Sequence, residues 1–241
     1  VKLPKRVQFW IRATAIALLV FSVACQGHTP SSSRTMPQTS AASPPPTAAI
    51  AASVSKTANK ASLVDLHSID PTIRLDLRYA TANNFMHRAL YKQSRCLLRA
   101  NAAEQLSQVQ QDLEADGLGL KVYDCYRPLS VQKQMWKLVP DERYVANPAT
   151  GSRHNRGSAV DVTLVDRAGN ELPMPTAFDD FTDRAATNYN GASPQAKQNR
   201  QRLKDAMTKR GFSPLQTEWW HFDAASWAQY SVLDVPLESV L

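Results

Sequence analysis

Two stretches constrain this chain more than any other: Ser152-Arg153-His154-Asn155-Arg156-Gly157-Ser158-Ala159-Val160-Asp161 and, far downstream, Glu218-Trp219-Trp220-His221. Together they offer two imidazoles, His154 and His221, the carboxylate of Asp161, and a spare carboxylate at Glu218. Two neutral imidazoles and one carboxylate suit a borderline-soft divalent ion, and the expectation is one zinc per chain. Stopping at three protein ligands leaves the fourth tetrahedral position open, which makes such a site catalytic rather than structural. Glu218, three residues before His221, is placed to take a proton from water at that position. Gly157, between two ligands, suits a backbone that must bend closely around a metal. A lone histidine is more often a surface or satisfied core residue, and His28, His67 and His87 keep that default.

Local patterning places these residues on a mixed fold. Asn101-Ala102-Ala103-Glu104 has the chemistry of a capping box, and Leu106, Val109 and Leu113 follow at helical spacing until Gly117. Leu120 to Tyr123 alternates as a strand, and Pro128 forces Arg127 out of helical geometry, so Arg127 stands at a strand-to-helix junction before a helix near Ser130. Ala159 to Leu164 also alternates, with Asp161 and Thr163 on the face opposite Val160, Val162 and Leu164. Pro194 to Arg210 reads as a second long helix closed by Gly211, and the segment through His221 to Phe222 returns to the sheet. The expected class is α+β, a small antiparallel sheet flanked by helices.

The pattern S-x-H-x-x-G-x-A-x-D followed by E-x-W-H resembles the zinc D-Ala-specific peptidases, and neighbouring residues narrow the likeness to the VanX-type D-alanyl-D-alanine dipeptidases. Those residues are Leu77 to Thr81, Tyr126-Arg127-Pro128, Phe178-Asp179 with Asp183-Arg184, Gln198-Asn199-Arg200, and Gly211-Phe212. The resemblance spans about Leu63 to Tyr230 and implies the zinc D-Ala-D-Ala peptidase or Hedgehog-like fold, with D-Ala-D-Ala as substrate. It implies Glu218 as general base and Arg127 as stabiliser of the developing oxyanion. Around the dipeptide it points to Tyr79, to Asp179 for the free ammonium, and to Ser152 and Tyr91 near the carboxylate. Asn83-Asn84-Phe85-Met86-His87 departs from the family's usual D-N-F-T-G. Trp219 and Trp220 resemble a sugar-stacking platform, but packing that fixes Glu218 and His221 is the simpler expectation.

The ends differ in kind from this core. Residues 1–60 hold Lys2, Lys5, Arg6, Arg12, Arg34, Lys56 and Lys60 and no acidic residue, so without them the formal charge of +7 falls to zero. A nucleic-acid partner needs basic residues concentrated on the folded domain, which this balance excludes. The basic start and the apolar run Ala13 to Ala24 make residues 1–24 a signal peptide, too short to span a bilayer comfortably. Ser22-Val23-Ala24-Cys25 resembles a lipobox, with Cys25 lipidated and the enzyme exported to the periplasm and held at the outer membrane; ordinary cleavage near Ala24 is the alternative. Residues 25–61 form a Ser/Thr/Ala/Pro linker, and residues 62–241 the catalytic domain. Cys96 and Cys125 are then an even pair in an oxidising compartment, either bridged or two buried thiols, with the bridge expected.

Rival functions are a D,D- or L,D-carboxypeptidase of the same zinc group acting on peptidoglycan stems, and a cell-wall-binding lipoprotein with a degenerate site. Phe178-Asp179, an ammonium partner at the blocked end of a short cleft, argues against the first. The second has no need of Glu218 as a base.

Overall fold

The computed structural model describes residues 62–240; the signal peptide, Cys25 and the linker lie outside the described residues. The elements run β1 (Leu63–Asp65), α1 (Leu66–Ile69), β2 (Arg74–Leu75), β3 (Leu97–Arg99), α2 (Ala100–Ala115), β4 (Leu118–Asp124), α3 (Leu129–Leu138), β5 (Ala159–Asp166), α4 (Pro194–Lys209), β6 (Phe212–Pro214) and β7 (His221–Ala224). One five-stranded sheet has the order β2-β4-β5-β7-β6, and β1 pairs with β3 in a separate two-stranded ribbon. The architecture is α+β. The sheet departs from the antiparallel expectation at one edge, where β2 runs parallel to β4 through only Arg74 and Leu75.

Period-two alternation explains the sheet's buried face. Val160, Val162 and Leu164 of β5 point into the main core with Leu120 and Val122 of β4, against Leu106, Val109 and Leu113 of α2 and Leu203 and Met207 of α4. The opposite face, bearing Asp161 and Thr163, is buried as well, because loops cover it. Helix α4 begins as its sequence dictates, with the Ser193 hydroxyl accepting from the Ala196 N–H and Pro194 in the first turn.

Helix α2 does not begin as expected. Asn101 lies inside it rather than capping it, and its amide instead donates to Ser226. The reason is tertiary: β3 feeds straight into α2, and the Ala100 N–H finds the Ser62 carbonyl. A local cap is therefore not needed there.

Two register details position the site. Between β4 and β5 the pairing shifts between Val122 and Asp124, an irregularity that leaves Asp124 opposite Asp161. Between β5 and β7, Asp161 lies directly opposite His221, so residues distant in sequence become cross-strand neighbours. Gly157 ends the short turn bearing His154 with φ 68, a left-handed conformation, and a Cβ there would lie 2.5 Å from Leu63 Cδ2. Its constraint is that turn, a bend between the two ligand residues His154 and Asp161, together with the close approach of β1.

Candidate active site

The turn before β5 presents His154, β5 presents Asp161, and the first residue of β7 is His221. Their ligand atoms converge: His154 Nε2 is 3.1 Å from His221 Nδ1, and Asp161 Oδ1 is 3.1 Å from His221 Nδ1 and 3.3 Å from His154 Nε2. For ligands about 2.0–2.1 Å from a tetrahedral zinc, neighbours stand about 3.3 Å apart, which matches.

The other nitrogen of each ring fixes its orientation. His154 Nδ1 lies 2.7 Å from the Cys125 carbonyl, which can only accept, so Nε2 turns its lone pair inward. His221 Nε2 lies 2.9 Å from the Asp223 carboxylate, which does the same for Nδ1. Two lone pairs facing each other at contact distance are repulsive unless a cation lies between them. Burial opposes positive charge on His221, yet Asp161 and Asp223 outweigh it and raise its pKa to about 10. Burial works against ionised Asp161 too, but the two imidazoles hold it well below the ordinary carboxylate range. This pocket favours positive charge at one spot, and its donor set fits zinc. Among the described residues, this is the one such grouping of ligand side chains.

A cavity of about 220 Å³ opens over these ligands, lined also by Glu218, Arg127, Tyr79, Ser152 and Asp179. Glu218 Oε2 is 3.9 Å from His221 Nδ1, and burial raises its pKa to about 8. The Arg127 guanidinium is held rigidly: Nε and Nη2 donate to Asp124 Oδ2 at 3.0 and 2.6 Å, and Nη1 donates to Gln132 at 2.8 Å. Burial works against its charge, but the carboxylate of Asp124 keeps it protonated. Asp179 adopts φ 61 and accepts from the Tyr79 hydroxyl at 3.0 Å, and burial raises its pKa to about 7 against that hydrogen bond. The Ser152 hydroxyl accepts from the His154 N–H at 3.2 Å.

Not every expected residue meets the cavity. Tyr91 is buried behind it, and its hydroxyl donates to Asp124 at 2.7 Å, so its contact is with the support of Arg127 rather than with the cavity. Trp219 and Trp220 pack against each other, both buried with rings 5.4 Å apart; Trp219 Nε1 donates to Thr176 away from the cavity, while Trp220 also lines it. Cys96 and Cys125 are bonded to each other, with Cα atoms 5.3 Å apart. His67 meets the Ile73 carbonyl, and His87 is exposed, both away from the ligands.

Sequence reasoning missed the supporting groups. Asp124 and Gln132 lock Arg127, Asp223 orients His221, and Asn155 bonds the Arg127 carbonyl and the Ser152 N–H at 2.7 Å each. Asp223 was detectable as the residue two beyond a ligand on a strand, hence on the same face. Asp124 was not, because period-two counting along β4 does not reveal the shift that turns it.

The family model of the M15 peptidases, described as D-ala-D-ala dipeptidase, matches residues 59–234. A D-alanyl-D-alanine dipeptidase of Escherichia coli (strain K12) is 40% identical over 171 residues, covering 71% of this chain and 89% of that protein. One from Enterococcus faecium is 33% identical, covering 62% and 85%. Of solved structures, VanYB in complex with D-Alanine-D-Alanine is 17% identical with a TM-score of 0.35, covering 56% of this chain and 78% of that one.

Proposed function

The chain belongs to the M15 peptidase family of D-Ala-D-Ala dipeptidases, and from that membership we propose how its cavity hydrolyses D-alanyl-D-alanine to D-alanine in cell-wall metabolism. His154, Asp161 and His221 would hold one zinc ion per chain, which would supply Lewis acidity toward water and the scissile carbonyl. The remaining steps fall to the chain's own side chains. Glu218 takes the proton of the attacking water and delivers it to the leaving amine, a role suited to a carboxyl whose burial raises its pKa above the ordinary carboxylate range and so makes it a stronger base. Arg127 donates to the developing oxyanion, and because Asp124 and Gln132 already hold its guanidinium in place, little reorganisation accompanies the reaction. Asp179, braced by Tyr79, receives the substrate ammonium, and Ser152 helps hold the carboxylate.

The observation that carries this reading is the cross-strand pairing of Asp161 with His221, which gathers three ligands beside a buried glutamate and a locked arginine in one small cavity. A release assay comparing D-Ala-D-Ala, L-Ala-L-Ala, N-acetyl-D-Ala-D-Ala and a stem pentapeptide tests it. Free D-alanine is expected from D-Ala-D-Ala alone, and efficient release from the pentapeptide would identify a carboxypeptidase instead.

We further propose that residues 1–24 direct export, that Cys25 carries lipid, and that the linker 25–61 tethers the enzyme in the periplasm at the outer membrane. The basic start and apolar run support this, as does the Cys96–Cys125 bond, which suits an oxidising compartment. Mass spectrometry of the mature N-terminus decides it: an unmodified Cys25 would rule out the anchor.

A further inference from the structure

The wall of the cavity beside Asp179 is made of aromatic rings from separate loops. Phe85 comes from the segment after Tyr79, Phe181 follows Asp179 by two residues, and Tyr144 lies beyond α3; all line the cavity. The Phe181 ring sits 5.0 Å from Phe85 in an edge-on contact and 5.0 Å from Tyr144 in a stacked one, bridging the two. Phe85 in turn meets Tyr79 edge-on at 6.1 Å. An arc of rings, Tyr79, Phe85, Phe181 and Tyr144, therefore lines the cavity, beginning at the tyrosine whose hydroxyl meets the aspartate.

Each end of the arc is tied down. The buried Asn84 amide donates to the carbonyls of Arg78, Thr81 and Arg88 at 2.8–3.0 Å, and its oxygen accepts from the Met86 N–H, which fixes the loop presenting Phe85. That loop ends with His87 at φ 53, the place where the resembling family has glycine. Arg143 stacks 5.1 Å from the Tyr144 ring and pairs with Asp141.

We propose that Phe181, bridging Phe85 and Tyr144, is the specificity-determining residue that limits this enzyme to free dipeptides by closing the cavity beyond the substrate ammonium. This rests on the reading of Asp179 as the ammonium partner. A residue attached to the substrate nitrogen would have to leave Asp179 through the Phe85–Phe181–Tyr144 contacts, displacing packed rings. Two barriers thus oppose longer peptides: the lost charge pair, and the wall. Removing Phe181 lifts only the second.

The test uses the zinc-loaded enzyme and its Phe181→Ala and Tyr144→Ala variants, with D-Ala-D-Ala and L-Ala-D-Ala-D-Ala as substrates, and reads the ratio of kcat/KM for tripeptide over dipeptide. Phe181→Ala should raise that ratio at least tenfold while leaving it below one, and Tyr144→Ala, which opens the same wall from the other loop, should raise it in the same direction. An unchanged ratio in folded variants overturns the proposal, and so does a wild type that cleaves both substrates equally well. Circular dichroism identifies a variant that has lost its fold, in which case the other variant decides. Failure of the wild type to cleave D-Ala-D-Ala is a separate outcome, counting against the dipeptidase reading itself.

Discussion

At the scale of single residues, the chemistry depends on side chains whose charge is set by what surrounds them. His154→Ala or His221→Ala removes one of the three nitrogen and oxygen donors and should abolish tight zinc binding, whereas Glu218→Ala should keep zinc and lose turnover by roughly a hundredfold or more. Metal analysis beside kcat separates the two; full zinc occupancy with normal turnover in His221→Ala would refute the ligand assignment. Asp179 adds a pH signature. Burial holds its pKa up at about 7, so below that it is neutral and pairs poorly with an ammonium. The kcat/KM for D-Ala-D-Ala, which reports the free enzyme, should therefore rise with pH through about 7. Asp179→Asn should lose roughly a hundredfold by forfeiting a buried charge pair, and its residual profile should lose the limb at about 7 and keep only the rise through about 8 that the buried base Glu218 supplies. An inflection that persists in the variant belongs to some other group.

At the scale of elements, periodic segments were foreseeable and irregular ones were not. The alternation of β4 and β5 and the helical spacing of α2 and α4 express burial on one face, a property of each segment alone. Strands β1, β2 and β6 are only two or three residues long and exist because the sheet and ribbon recruit them. Asn101 misled because a side-chain cap is a local signal that a tertiary backbone partner made redundant. The ligand residues could be named from their motifs, yet the register joining Asp161 to His221 and the shift that turns Asp124 belong to pairs of strands. Two predictions belong here. Gly157→Ala must place a methyl against Leu63 at positive φ, and should destabilise by about 1–3 kcal/mol in denaturant unfolding. Asp112 ties α2 to Lys209, the last residue of α4, and to Arg210 just past it; the hydrogen bonds from Arg210, then Lys209, lower its pKa to about 2. A carboxylate held below its unfolded value of about 3.9 contributes stability above that pH and loses it as pH falls toward 2. Asp112→Asn should accordingly show a flatter stability curve between about pH 4 and 2 than the parent chain.

At the scale of the whole molecule, the Cys96–Cys125 bond spans a sequence separation of 29, and a closed loop of that size corresponds to about 3–4 kcal/mol of stabilisation in the chain-entropy account. Reduction should lower the thermal midpoint, as measured by calorimetry with and without reductant; an unchanged midpoint would show that the bond adds nothing to the folded state. Seen as polymer topology, the chain carries a permanent link from residue 96 to 125 and, when metal is present, a reversible one from His154 to His221, 67 residues apart. The two rings are in tandem rather than nested, and a hydrogen bond from His154 to the Cys125 carbonyl is the rivet between them. Stripping the ion with a chelator thus reopens the second ring while the first stays shut, so the polypeptide should loosen first between residues 154 and 221 and retain hydrogen-exchange protection longest around the disulfide.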